Sequence, residues 1–335
     1  MLNRRTLLRG APLITAALAL PALRIRPAGA TAAAAWPERT LRWVSPFPPG
    51  GSLDFSARLI GARMQDRLGR PVVIENRAGG AGAVGSAYVA NAAPDGYTVL
   101  SSSIGPQSLA PGLTPDLGYD VLRDLTHIGI IGTSPYLLVV KADAPWGDAA
   151  ALVEAARRAP GQLTGGSSGD GTVAHIALAR FAAATGTQIL HVPYRGSTAA
   201  LNDLMAGRIS LMLEGVAAAR GLVESGQLRA LAITRAQRSP LLPEVPSFAE
   251  AGLPDMVFAG WQGVAGPRGL PPELASRINA EMNRELAQPA VQARLAEIAL
   301  ETRPCSPAEA TAFVARELET WRPHVLAARQ QQSGS

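Results

Sequence analysis

The 335-residue chain has one cysteine, Cys305, and one lysine, Lys141. A single thiol closes no internal disulfide, and the four histidines lack the close spacings of a metal site, so neither cross-links nor a zinc cluster is expected to hold the fold. The core must do it. No apolar run reaches the ~20 residues that span a bilayer; the first one, residues 11–23, is broken by Pro12 and Pro21. Aromatic residues make up 5% and charged residues 17% against 47% hydrophobic residues, a composition that excludes wholesale disorder. The net charge of +5 suggests nucleic-acid binding until it is located. Residues 1–35 hold Arg4, Arg5, Arg9, Arg24 and Arg26 and no acid; taking those five from 31 basic groups leaves 26, equal to the 26 acids. The remainder is formally neutral, and no nucleic-acid partner is expected.

That basic segment has the layout of an export signal. Arginines precede a short apolar stretch, and small residues suited to cleavage follow at Ala28-Gly29-Ala30 or just beyond. The adjacent Arg4-Arg5 followed by Leu7-Leu8 is similar to a twin-arginine signal, with the general secretory route as the alternative. Residues 1–35 are therefore expected to be removed, leaving the mature protein in the periplasm.

Beyond residue 40, short apolar runs alternate with longer amphipathic ones, the pattern of an α/β protein. Strands are expected near 41–45, 71–75, 97–101, 128–132, 137–140, 209–213 and 228–234, and helices over 52–68, 148–158, 172–185, 197–206 and 272–286. A last helix is expected to start at Ser306-Pro307-Ala308-Glu309, which joins a capping box to a proline at the first helical position, and to run towards Trp321.

Two motifs invite enzymatic readings. Gly80-Ala81-Gly82-Ala83-Val84-Gly85 is a literal G-x-G-x-x-G, but the strand that should end in a ribose-binding acid ends in Ser101-Ser102-Ser103. A tight helix start built from glycine is the better reading, and no cofactor is expected. Gly165-Gly166-Ser167-Ser168-Gly169 satisfies G-x-S-x-G, yet His175 falls inside a helix, His191 leaves little room for an intervening acid and His324 lies in the terminal helix. No catalytic residue is expected. A third reading covers both serine-rich turns. Phe47-Pro48-Pro49-Gly50-Gly51-Ser52 and Ser167-Ser168-Gly169-Asp170-Gly171-Thr172 each put backbone N–H groups and hydroxyls at a helix start, where anions bind. Two such turns in two domains suggest a cleft closing on a carboxylate.

The ordered stretches Phe47-Pro48-Pro49-Gly50-Gly51-Ser52-Leu53-Asp54, Glu75-Asn76-Arg77, Pro94-Asp95-Gly96-Tyr97-Thr98, Gly169-Asp170-Gly171-Thr172 and His191-Val192-Pro193-Tyr194-Arg195-Gly196 resemble those of the Bug (TctC-like) family. These are periplasmic substrate-binding proteins of tripartite tricarboxylate transporters. Leu242-Pro243-Glu244-Val245-Pro246-Ser247 and Glu250-Ala251-Gly252-Leu253-Pro254 extend the likeness over nearly all the mature chain. The resemblance implies a two-lobed, type II-like binding protein, each lobe a mostly parallel sheet flanked by helices, with the ligand cleft between them. Lobe 1 is expected over 36–136 plus 256–335 and lobe 2 over 137–255. The implied ligand-binding residues are Phe47, Gly50, Gly51, Ser52 and Asp54 from the first turn, Ser102, then Ser168, Gly169 and Thr172 from the second, and Glu214. The implied partners are a small organic acid and membrane permease subunits, and the protein is expected to be a monomer without a metal. Two departures stand out. Ala78 replaces the usual proline after Glu75-Asn76-Arg77, a tolerable loop change, and Glu214 stands where many members carry an aspartate that meets the ligand's amino or distal group. Read as an ionised residue at a strand end, Glu214 should favour a cationic or donor group on the ligand and repel a second carboxylate; the plainer reading is a solvated acid.

Overall fold

The computed structural model describes residues 36–114 and 116–333. The export signal expected over 1–35 lies outside them. The chain lays down β1 (Leu41–Ser45), β2 (Val72–Asn76), β3 (Thr98–Ser103) and β4 (Leu125–Ser134) in one sheet, then crosses at Pro135 into a second. That sheet holds β5 (Tyr136–Lys141), β6 (Thr164–Ser167), β7 (Leu190–Pro193), β8 (Leu211–Gly215) and β9 (Leu228–Ile233). The chain then returns to the first sheet with β10 (Gly260–Pro267) and β11 (Glu301–Thr302). The strand orders are β11-β4-β10-β3-β1-β2 and β7-β6-β8-β5-β9.

Helices cover both sheets: α1 (Ser52–Leu68), α2 (Ala83–Ala90), α3 (Ala149–Arg158), α4 (Val173–Thr185), α5 (Ser197–Met205), α6 (Val216–Glu224), α7 (Pro272–Leu286), α8 (Pro289–Glu297) and α9 (Pro307–Ser333). Local chemistry accounts for their ends. In α1 the buried Leu53, Ala57, Ile60 and Met64 recur at helical spacing, and Gly69 closes the helix in the left-handed conformation with its N–H on the Gln65 carbonyl. Leu53, Ile60 and Met64, buried there, each contribute about 1.5–3 kcal/mol, and Ala57 less. The start of α9 is the expected capping box: Ser306 N–H donates to Glu309 Oε2 at 2.8 Å and Glu309 N–H to Ser306 Oγ at 3.3 Å. The helix continues past Trp321 and through Pro323.

The fold class is α/β as expected, but the sheets are mixed rather than mostly parallel. β1 runs parallel to β2 and β3, and β6 parallel to β7 and β8, whereas β10 is antiparallel to both β3 and β4 and β5 is antiparallel to β8 and β9. The cause is the double crossing, which brings strands into each sheet from the opposite direction. The chain of β10, Gly-Trp-Gln-Gly-Val-Ala-Gly-Pro, offers neither alternation nor β-branched density, although all eight residues are buried. Glycine is what lets its neighbours approach.

The terminal helix joins the two halves. α9 packs on β4 of the first sheet and on α4 of the second. At that junction Trp321 meets Phe258 edge-to-face at 5.1 Å, and the Arg180 guanidinium lies 5.4 Å from both ring centroids while its Nε donates to the Asp255 carbonyl at 2.8 Å. Buried apolar side chains of both sheets belong to one continuous core here.

Candidate functional site

β1, parallel to β2 and β3, ends in the first turn singled out from sequence and β6, parallel to β7 and β8, in the second, so those turns occupy the carboxyl edges of the two sheets, where open α/β folds hold ligands. The first turn is exposed at Gly50, Gly51 and Ser52, with Phe47 half-buried behind it. Gly51 occupies the cap position of α1 and no side chain caps the helix, so its first N–H groups have no intrahelical acceptor. The turn itself is rigidly braced. Asp54 is buried and takes four hydrogen bonds: Gly50 N–H at 3.0 Å and Arg58 Nε–H at 2.9 Å on Oδ2, Arg58 NH2 at 3.0 Å and Asn76 Nδ2 at 2.9 Å on Oδ1. Burial pushes this carboxyl up, but the bonds from Arg58, Gly50 and Asn76 outweigh it and lower it to about 2. Asn76 also donates to the Phe47 carbonyl at 3.0 Å, which explains the Glu75-Asn76-Arg77 stretch.

Ser102, on β3, is buried beside Gly263, and the neighbouring Gln262 does what the sequence reading missed. Its Nε2 donates to Ser52 Oγ at 3.2 Å and its Oε1 accepts from Ser56 Oγ at 2.6 Å, pinning the start of α1 to the central strand. The signal was present only as a lone glutamine in a glycine-rich run.

The second turn is braced differently. Thr172 caps α4, donating its hydroxyl to the Gly169 carbonyl at 2.7 Å and accepting from His175 N–H at 3.4 Å. Gly169 has φ +132°, and a Cβ there would sit 3.2 Å from the Tyr194 carbonyl; Gly196 N–H donates to Ser168 O at 3.2 Å. The His191–Gly196 stretch thus backs the turn. Beneath it, the imidazoles of His175 and His191 stack with centroids 3.9 Å apart and planes 3° from parallel. Gly171 N–H donates to His175 Nδ1 at 3.1 Å, and His191 Nε2 lies 2.7 Å from Ser167 Oγ. Burial lowers both histidines, and His191, lowered further by its neighbour despite the opposing charge of Asp170, titrates at about 4.

This cluster contains two features the sequence reading discounted. Ser167, His191 and Asp170 form a serine–histidine–acid series, with Asp170 Oδ1 3.7 Å from His191 Nδ1, so the acid between them does find room. Ser167 is nevertheless fully buried and accepts Gly169 N–H at 3.2 Å, whereas a nucleophile of this type stands exposed on its turn. Asp170, His175 and His191 also bring three potential metal ligands within 4.8 Å of one another. Parallel stacked rings defeat chelation: a lone pair lies in its own ring plane, and an ion in one plane lies outside the other.

The literal G-x-G-x-x-G also has a packing role. A Cβ on Gly85 would fall 2.8 Å from Pro46 Cα and 2.9 Å from the Arg77 carbonyl, so glycine lets α2 pack directly against the first turn. Glu214 lies inside β8 rather than beyond its end, and it is 6% exposed, which corrects the reading of a solvated acid.

Among the described residues no helix is long and apolar enough to cross a membrane. Residues 56–329 match the model of the tripartite tricarboxylate transporter family receptor, TctC. The chain is 40% identical over 293 residues, 87% of each chain, to the UPF0065 protein of the tcbD-tcbE intergenic region of Pseudomonas sp. strain P51, and 35% identical to protein BugT of Bordetella pertussis over 92% of this chain and 96% of that one. Among solved structures it is similar to Rpa4515 of R. palustris with adipate (TM-score 0.79, 35% identity, 88% of this chain and 98% of that one). It is also similar to MatC of Rhodopseudomonas palustris with bound malate (TM-score 0.76, 31% identity, 87% of this chain and all of that one). With a family model covering most of its length and relatives of this identity over most of theirs, the chain belongs to the TctC family of periplasmic solute-binding proteins, to which the Bug proteins also belong.

Proposed function

We propose that this protein captures a small organic carboxylate in the periplasm, between a lobe of residues 36–136 with 256–335 and a lobe of 137–255, and delivers it to the permease subunits of a tripartite tricarboxylate-type transporter. The observation that carries the reading is the pair of N–H-rich turns at the carboxyl edges of two sheets, one of them uncapped and exposed at Gly50–Ser52. In this reading Gly51, Ser52, Ser168, Gly169 and Thr172 meet the ligand, with Phe47, Gly50 and Ser102 around it, and Asp54 positions the first turn. Binding favours the closed arrangement of the lobes because only there do both turns reach the ligand. The arginine-bearing segment 1–35 supports export, and the bound adipate and malate of two structural relatives support the ligand class; in this reading the protein acts as a monomer.

A thermal-shift screen of the mature protein against malate, adipate, citrate, aspartate and an aromatic acid tests this. A ligand at about 100 times its Kd stabilises the native state by about 2.7 kcal/mol, and its methyl ester or amide should bind roughly tenfold or more weakly, given about 1.5–3 kcal/mol for hydrogen bonds to a charged group. Equal affinity for acid and amide, or no shift with any carboxylate, overturns the proposal.

A further inference from the structure

Among the described acids, Glu214 has an unusual environment. Its Oε1 accepts the N–H of the adjacent Gly215 at 2.9 Å, while its Oε2 is buried and meets no donor in hydrogen-bond geometry, the Ser197 hydroxyl being close enough only to act on the carboxyl as a whole. β8 and β6 run parallel with Gly165 opposite Leu211 and Gly166 opposite Met212, so two residues further along Ser168 comes level with Glu214. The unpartnered oxygen therefore belongs to the same sheet edge as the second ligand turn. On the other side β5 sets Leu137 opposite Glu214 and Tyr136 opposite Gly215, immediately after the chain crosses between sheets.

The surroundings supply no positive charge. The groups acting on the Glu214 carboxyl are Gly215 N–H at the start of α6, the Ser197 hydroxyl at the start of α5, and burial, which pushes it above its ordinary range. Tyr136 of β5 is the titratable group facing it, and burial together with the Glu214 charge pushes that phenol up in turn. β6 contributes no titratable side chain. α4 carries His175 and Arg180, but the first stacks on His191 and the second turns to Asp255, Phe258 and Trp321. A carboxylate brought to this edge adds a second negative charge where water is scarce, and two unscreened carboxylates at close range do not both stay ionised.

Resting on the carboxylate-binding reading above, we propose that Glu214 takes up one proton from solvent as the ligand binds and then donates its O–H to a second oxygen-bearing group of that ligand. The protein thereby selects dicarboxylates and hydroxy acids over amino acids. This reverses the expectation of an ionised Glu214 that repels a second carboxylate and prefers an ammonium group. A neutral carboxyl donates to an oxygen but offers no charge to a cation.

The test is calorimetric titration of the mature wild type and Glu214→Gln with malate, adipate and aspartate, from about pH 6 to about pH 8, in buffers of unlike ionisation enthalpy. Wild type should take up close to one proton per dicarboxylate at the upper end of this range, with affinity falling up to about tenfold per pH unit once Glu214 is ionised in the free protein. Glu214→Gln should take up none, show an affinity for dicarboxylates that does not fall between about pH 6 and about pH 8, and bind them more tightly than wild type near pH 8. Aspartate should bind more weakly than malate to both. No proton uptake by wild type overturns the proposal, as does the same pH slope in Glu214→Gln, which would assign the proton to the histidine pair. If the variant does not fold, proton uptake that persists in His175→Gln and in His191→Gln assigns the proton to Glu214, and its loss in either overturns the proposal. A separate ligand-free arm keeps the two readings distinguishable: the gain in Tm of Glu214→Gln over wild type should be larger near pH 8 than near pH 5, and an equal gain refutes a buried Glu214 charge. Carboxylate binding without proton uptake defeats only this inference, whereas a pH-dependent Tm gain without carboxylate binding defeats the functional reading.

Discussion

The two turns do the same work with different chemistry. The first is tied by an ionised carboxylate, Asp54, that collects donors from Gly50, Arg58 and Asn76 and stays charged down to about pH 2. The second rests on two neutral imidazoles stacked beneath it, one of which must keep a lone pair on Nδ1 for Gly171 N–H. One brace is indifferent to mild acid. The other depends on the absence of protons.

The comparison can be broken most forcefully at Asp54. Asp54→Ala strands the buried donors around it, and since Arg58 is half exposed we expect about 2–3 kcal/mol of lost stability, seen as a fall in the urea midpoint, together with at least a tenfold loss of ligand affinity. An unchanged midpoint would show that the turn needs no internal acceptor. Next in size is Gly169→Ala, which forces a side chain onto a backbone at φ +132° and towards the Tyr194 carbonyl; about 1–2 kcal/mol is expected in the same assay, with weaker carboxylate binding by calorimetry. Wild-type affinity in that variant would remove Gly169 from the site. The smallest effect sharpens the contrast. Because His191 is lowered from about 6.5 in the unfolded chain to about 4, the unfolded state binds more protons between those values. Stability is therefore complete above about pH 6.5 and is lost as pH falls through about 4, amounting to about 1–2 kcal/mol by pH 5. Urea unfolding of wild type and His191→Gln over that range should show a shallower slope in the variant, and identical slopes would place the titration elsewhere.

Much of this was legible in the residues. The Gly50–Asp54–Arg58 part of the first turn, the Thr172 cap and the Ser306–Glu309 box are local devices, in which the partners lie within a few positions of each other. Strand Gly260–Pro267 and its Gln262 were not, since their partners Ser52 and Ser56 lie about two hundred residues away and a glycine-rich strand carries no periodic signal. The histidine stack was equally hidden: His175 is helical and His191 sits on a strand, and only the tertiary fold sets one ring on the other. Glu214 does lie near the carboxyl end of β8, but its burial, and the Tyr136 and Ser197 groups that meet it there, come from the tertiary fold.

The late arrival of β10 has a consequence for how the molecule can be assembled. The five-stranded sheet is complete once residue 233 is available, because all of its strands come from one continuous stretch. The six-stranded sheet is not, since β10 lies between β3 and β4, strands laid down more than a hundred residues earlier. A chain ending before Gly260 would lack both neighbours of β4, β10 and β11, leaving β4 unpaired on both edges and β3, β1 and β2 as a separate fragment, open templates for pairing with other chains. For such a topology the last quarter of the polypeptide acts as the keystone of the first sheet, and an incomplete copy is an aggregation hazard rather than a smaller binding protein.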